Sequence, residues 1–271
     1  MQKLLFISLF STFILAQNNI IVSILPQKIF VDKIGGDKVN TTVMVETGAS
    51  PHNYSPKPSQ MKAVSKANIY FSIGVEFEKV WLEKFKNQNK NLKVIDVSKN
   101  IQKYHDKHEE LDPHIWVDPL NVKIIAKNIC NALIDEDKNN TAYYKENLKL
   151  FLKELDNLDS EIKKILEDTP KNSTFMVFHP SWGYFAKRYN LKQLPVQIEG
   201  KEPKMRELVK LMKQARKERI HAIFTQPEFS DKSAQIIAKN LNIKVIKTSP
   251  LAPNWSENLK ILAKAIADKE K

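Results

Sequence analysis

Three of the chain's six histidines are placed against prolines: Pro51-His52, Asp112-Pro113-His114-Ile115-Trp116-Val117-Asp118-Pro119 and His179-Pro180. Neutral imidazole is the side chain that most often binds a transition metal, and it does so best when its surroundings hold the ring. Proline fixes its own φ and restricts the residue before it, so each of these settings defines how the chain enters or leaves a ring. Asp112 and Asp118 are near enough in sequence to accept a ring N–H and select the tautomer. A surface histidine in a proline-rich turn carries the same local signature. The recurrence of the setting makes His52, His114 and His179 candidates for one shared site. They lie far apart in the sequence, so the fold has to bring them together.

The elements that would do so alternate regularly. Asn19–Ile24 reads as a buried β-strand, and Thr41–Val45, Ile69–Gly74 and Lys93–Val97 read as further strands. Between them, Gln27–Ile34, Ser59–Ala67 and Glu78–Phe85 read as helices, and a βαβαβαβ order predicts a parallel sheet covered by helices. Asn121–Leu133 is helical. From about Thr141 to Glu167, apolar residues recur at three- or four-residue steps without Gly or Pro, which predicts one helix long enough to run the length of a two-lobed molecule. The second half repeats the plan, with strands at Thr174–Phe178, Leu194–Ile198, Ala222–Thr225 and Lys244–Thr248. Its helices are expected at Ser181–Tyr189, from Gly200-Lys201-Glu202-Pro203 to about Arg219, at Asp231–Leu241 and at Trp255–Ala267. The fold class is therefore α/β: two α/β lobes with parallel sheets, an N-terminal lobe over 17–140 and a C-terminal lobe over 170–271, joined by a linking helix over 141–169. In such sheets ligands bind beyond the carboxyl ends of the strands. His52 and His179 follow strands, and His114 precedes the helix after the fourth strand, so the expected metal site lies at the lobe interface.

Residues 1–16 have a short basic start and a nearly unbroken apolar run from Leu4 to Leu15, the layout of a secretory signal peptide. The expected location is the periplasm, with no lipid-anchor cysteine after that run. The single cysteine, Cys130, excludes an internal disulfide or a thiolate cluster. The formal charge of +12 raises nucleic-acid binding as a class, but there is no basic run with interleaved aromatics, and the charge reads as solvated surface.

Gly48-Ala49-Ser50-Pro51-His52-Asn53-Tyr54-Ser55-Pro56-Lys57-Pro58-Ser59 resembles the first ligand loop of the metal-specific solute-binding proteins that feed ABC importers. Asp112 to Pro119 resembles their second motif, and Phe178-His179-Pro180-Ser181-Trp182-Gly183-Tyr184-Phe185 their third. Glu199-Gly200-Lys201-Glu202-Pro203 and Ser249-Pro250-Leu251-Ala252 match as well. The resemblance covers nearly the whole mature chain. It implies a periplasmic receptor, monomeric, that binds a divalent metal between its lobes and delivers it to an ABC importer permease in the inner membrane. Manganese members carry Glu at the third position and an Asp near the C-terminal end. Here the third is His179, and no carboxylate follows Pro250 through Ser256. Imidazoles suit Zn²⁺, whereas manganese prefers oxygen. The fourth coordination position lies open between water and Glu228; the carboxylate some zinc members place before the first histidine is Pro51 here. His105 and His108, in a short polar stretch, resemble a reduced form of the His- and acid-rich auxiliary metal loop of zinc members.

Three imidazoles and a water are also a catalytic arrangement, so an exported zinc hydrolase is the alternative. No HExxH or comparable base motif supports it.

Overall fold

The computed structural model describes residues 17–104, 111–197, 201, 203–230 and 232–268. His105 and His108, and the leader over 1–16, lie outside the described residues.

The first lobe runs β1 (Asn18–Val22), α1 (Leu25–Gly35), β2 (Val39–Val43), α2 (Pro58–Val64), β3 (Ile69–Ser72), α3 (Glu76–Gln88), β4 (Lys93–Asp96) and α4 (Pro119–Glu136). Its four strands are all parallel, in the order β2-β1-β3-β4. The central strand β3 is buried at every position, as a helix-covered parallel sheet requires, while β4, at the sheet edge, is exposed at Lys93 and Asp96. Helix α5 (Thr141–Ile165) has 25 residues, about 38 Å at the usual rise. Its Tyr144, Phe151, Leu155, Leu158 and Ile162 form the buried stripe that the spacing predicts.

The second lobe follows as β5 (Thr174–Val177), α6 (Gly183–Arg188), β6 (Lys192–Pro195), α7 (Met205–Lys217), β7 (Ala222–Thr225), α8 (Lys232–Leu241), β8 (Lys244–Lys247) and α9 (Trp255–Ala267). Its order, β6-β5-β7-β8, reproduces the first sheet's plan in parallel strands. Helix α7 starts at Met205, later than the Gly200–Pro203 opening expected from sequence. Lys204 is the extended N-cap, and its backbone N–H donates to Glu207 Oε2 at 2.6 Å, which fixes the start of the helix one residue later.

Packing does not divide at the lobe boundary. One apolar core joins the first sheet to α5, α6 and α9, and a smaller core lies under α7 and α8. The last helix crosses back: the Trp255 ring meets Phe30 of α1 edge-on, with centroids 5.1 Å apart.

Candidate metal centre

In both sheets the strand order reverses beside the first strand, and the crevice at such a switch point is where α/β sheets take ligands. His179 stands two residues beyond β5. Gln226, Glu228 and Phe229 follow β7 beside it. His52 lies in the loop after β2, whose ends are held by buried Gln60. That side chain donates to the carbonyls of Val43 (3.0 Å) and Met44 (2.6 Å) and accepts from Tyr54 Oη at 2.9 Å. His114 sits just before a single 3₁₀ turn, Ile115–Val117, that leads into α4.

The three histidines gather round one small cavity, walled also by Glu76, Trp116, Gln226, Glu228, Phe229 and Leu251. His52 Nε2 and His179 Nε2 are 3.4 Å apart. Two nitrogens on a tetrahedral zinc, each at about 2.0–2.1 Å, lie about 3.3–3.4 Å from one another. The ring centroids of His52 and His179 are 5.1 Å apart, and those of His114 and His179 are 5.6 Å apart. Among the described residues, no group of three or more His, Cys, Asp or Glu side chains is already drawn in tightly enough to hold an ion. Two rings meet, and the third stands beside them.

Each ring is oriented by an oxygen acceptor at Nδ1. Asp112 Oδ1 accepts from His114 Nδ1 at 2.7 Å and also from the His114 backbone N–H at 2.9 Å. Gln197 Oε1 accepts from His179 Nδ1 at 2.8 Å, and Glu76 Oε1 lies 3.3 Å from His52 Nδ1. With the protons on Nδ1, all three Nε2 atoms carry lone pairs, the tautomer a metal needs. The lone pairs of His52 and His179 then face each other, an arrangement that only a shared cation or proton relieves.

The electrostatics separate the rings. Burial, with the neighbouring His114 charge, pushes the His179 pKa down to about 3, so it is neutral over the physiological range. The hydrogen bond to Glu76 raises the His52 pKa above its ordinary value, outweighing burial. Burial pushes Glu76 up, but its hydrogen bond with His52 wins and holds it at about 2. Burial raises the Glu228 carboxyl; one oxygen accepts from Ser249 Oγ at 2.6 Å, while Oε2 is buried without a partner among the described residues.

Of the two aspartates that could have oriented His114, only Asp112 does. Asp118 caps α4 through the Leu120 N–H at 2.9 Å and takes a bidentate pair from Arg188 at 2.8–3.0 Å. Sequence reasoning missed Glu76 and Gln197. Both follow strands at their carboxyl ends, the same positional signal that singled out the histidines.

The His114 segment is first-lobe in sequence but fastened to the second lobe. Tyr184 Oη donates to Asp112 O at 3.0 Å, Trp116 Nε1 to Pro250 O at 2.9 Å, and Trp255 Nε1 to Trp116 O at 3.0 Å. Among the described residues, His52 meets the second lobe through ring contacts with His179 and Phe229, at centroid distances of 5.1 and 6.3 Å. A Cβ on Gly183 would stand 2.8 Å from Asp112 Oδ2, so this glycine leaves room for the carboxylate that orients His114. Gly183→Ala is therefore expected to weaken metal binding by about 10–100-fold, the usual cost of disturbing an outer partner of a metal ligand. Calorimetric titration of the metal-free variant checks it.

Two parallel α/β lobes, one long connecting helix and an ion-sized imidazole cavity between the lobes define a solute-binding protein for a metal ion. Residues 20–268 match the family model described as "Zinc-uptake complex component A periplasmic" (ZnuA). A crystal structure of ZnuA superimposes with a TM-score of 0.90 at 42% identity, covering 94% of this chain and 100% of that one. A zinc-bound ZnuA lacking residues 138–173 of its own numbering gives 0.88 at 43% identity, covering 93% and 97%. Among curated relatives, the manganese ABC transporter substrate-binding lipoprotein scaA of Streptococcus gordonii is 29% identical over 249 residues, 86% of this chain and 77% of that protein. The metal ABC transporter substrate-binding lipoprotein SsaB of Streptococcus sanguinis is 30% identical, with the same coverage. The chain belongs to the ZnuA family of solute-binding proteins, and its partners are a metal ion and the membrane components of an ABC importer. Among the described residues, no helix is long and apolar enough to cross a membrane.

Proposed function

We propose that the protein is a periplasmic, high-affinity zinc receptor that acts as a monomer and hands Zn²⁺ to its importer. The observation that carries this reading is the pairing of every candidate ligand's Nδ1 with an oxygen acceptor, which leaves three Nε2 lone pairs for one ion. Nitrogen donors favour zinc, and manganese would find few oxygens here. The relatives named for manganese make that distinction the point to test. Calorimetric titration of metal-free protein is expected to give one zinc per chain, bound at least about a hundredfold tighter than manganese. Equal affinity for the two ions would contradict the zinc assignment.

In this reading His114 and His179 form a fixed pair on the second lobe, and His52, on the more exposed loop, is the ligand that closes on the captured ion and opens to release it. Water completes the tetrahedron, and Glu228 Oε2 is the acceptor available to that water. The cavity encloses about 30 Å³, against the roughly 300–1,000 Å³ of pockets that hold organic ligands. That size favours an ion carrier over the alternative of an exported zinc hydrolase. The streptococcal relatives are named lipoproteins. Here Cys130 is a buried thiol in α4.

Zinc needs neutral imidazoles, so affinity falls as pH drops. His179 stays neutral down to about pH 3, and His52, with its pKa raised by Glu76, is protonated before it. Affinity is therefore expected to fall as pH drops through the raised His52 pKa. Glu76→Gln removes the group that raises it. The onset should move to lower pH, while affinity at neutral pH falls about tenfold with the loss of the orienting acceptor. Zinc titrations across pH 5–8, with proton release measured in buffers of different ionisation enthalpy, check both parts.

A further inference from the structure

The positive charge is not spread as a uniform solvated surface. Residues 204–247 hold eleven Lys and Arg against four Asp and Glu, seven of the chain's twelve excess positive charges. Elsewhere, many lysines are neutralised by a carboxylate, as in Lys33–Glu154, Lys57–Glu46, Lys93–Glu136, Lys123–Asp156 and Lys163–Asp159. On α7, Arg206, Lys210, Lys213, Arg216 and Lys217 are all exposed, and none forms an ion pair among the described residues.

Their spacing gives the face a direction. Arg206, Lys210, Lys213 and Lys217 recur at steps of four, three and four, which makes one stripe along a helix. Met205 and Val209 lie beside that stripe on the solvent side, 73% and 43% exposed, while Leu208, Leu211 and Ala215 bury the opposite face in the smaller core. Neighbouring α8 repeats the pattern with Ile236, 49% exposed, between Lys232 and Lys239 at helical spacing. Cations without ion-pair partners among the described residues, set around exposed apolar side chains, are the make-up of a surface that rests on an anionic lipid interface.

We propose that the α7–α8 face of the second lobe is a docking surface for an anionic phospholipid bilayer. The cations meet headgroup phosphates, and Met205, Val209 and Ile236 enter the headgroup boundary. An acidic protein, whose carboxylates would accept from the same cations, is the competing occupant, and the test below separates the two. The proposal is independent of which metal the crevice holds.

The test is co-sedimentation of the zinc-loaded protein without its leader (residues 17–271) with phosphatidylcholine vesicles, with and without phosphatidylglycerol. A variant carrying Arg206→Glu, Lys210→Glu, Lys213→Glu and Lys217→Glu is compared with a control of equal charge change, Lys86→Glu, Lys90→Glu, Lys138→Glu and Lys149→Glu. Zinc titration of both verifies folding. The expected result is binding only to the phosphatidylglycerol vesicles, weakened as salt rises through about 0.5 M. It should fall about tenfold or more in the α7 variant and less than about twofold in the control. Met205→Ser with Val209→Ser should reduce it several-fold at unchanged charge. Equal binding to both vesicles, or an equal loss in the control, would overturn the proposal. So would an α7 variant that keeps its vesicle binding but loses association with detergent-solubilised permease, which would identify an acidic protein as the occupant.

Discussion

His179→Ala is expected to lower zinc affinity by at least about a thousandfold, roughly 4 kcal/mol. The ring is the hub of the arrangement: its Nε2 faces His52, its centroid lies 5.6 Å from that of His114, and Phe229 stacks on it at 4.6 Å. Burial keeps it neutral, so it offers a lone pair at every pH the protein meets. The effect on folding should be smaller. Truncation strands Gln197 without its partner, at a cost of about 1–3 kcal/mol for an unsatisfied buried polar group. Chelator-competition titration measures the first effect and urea unfolding of the metal-free protein the second. A wild-type affinity in the variant would remove His179 from the ligand set.

The second large effect is on stability. Arg188→Leu is expected to destabilise the metal-free protein by about 3 kcal/mol, because Asp118 is left charged in a buried position when one member of a bidentate pair is removed. The Asp118 side chain is only 6% exposed and Arg188 32%, which places the loss at the lower end for buried pairs. Asp118 would keep the Leu120 N–H, so the fold should survive. The pair also ties the His114 segment to α6, so zinc affinity should fall along with stability. Adding Asp118→Asn to Arg188→Leu removes the stranded charge and should recover part of the stability, while the loosened His114 keeps affinity low. Urea midpoints and zinc titrations on the single and double variants separate the two contributions.

Regular periodicity is what made the fold legible. Helix α5 shows it plainly, because a buried stripe through 25 residues has no competing reading. Helix α9 was expected at Trp255–Ala267 and occupies that span, since Trp255, Leu259, Leu262 and Ile266 mark its buried side. The candidate ligands were legible because proline-flanked histidines at strand ends are rare and positional. What remained hidden depends on contacts distant in sequence. Asp118 stands before Pro119 as the N-cap of α4, a local signal that sets it apart from Asp112; its pairing with Arg188, on another lobe, has no local signal. Gln197 looks like an ordinary polar residue until β6 is placed next to β5 and its amide reaches His179. The return of α9 to Phe30 is invisible for the same reason. Charge was misleading in a different way: the overall composition reads as a basic surface, the excess over residues 204–247 shows only when it is counted by segment, and the ion pairs show which lysines elsewhere are neutralised.

The central claim is that imidazoles from three separated loops close on one zinc ion. X-ray absorption at the zinc edge of the stoichiometrically loaded protein tests it most directly. The account predicts a four-coordinate shell at about 2.0–2.1 Å, with the outer-shell scattering of three imidazole rings and one oxygen. A shell with one imidazole or none, or one built mainly of oxygens, would contradict it.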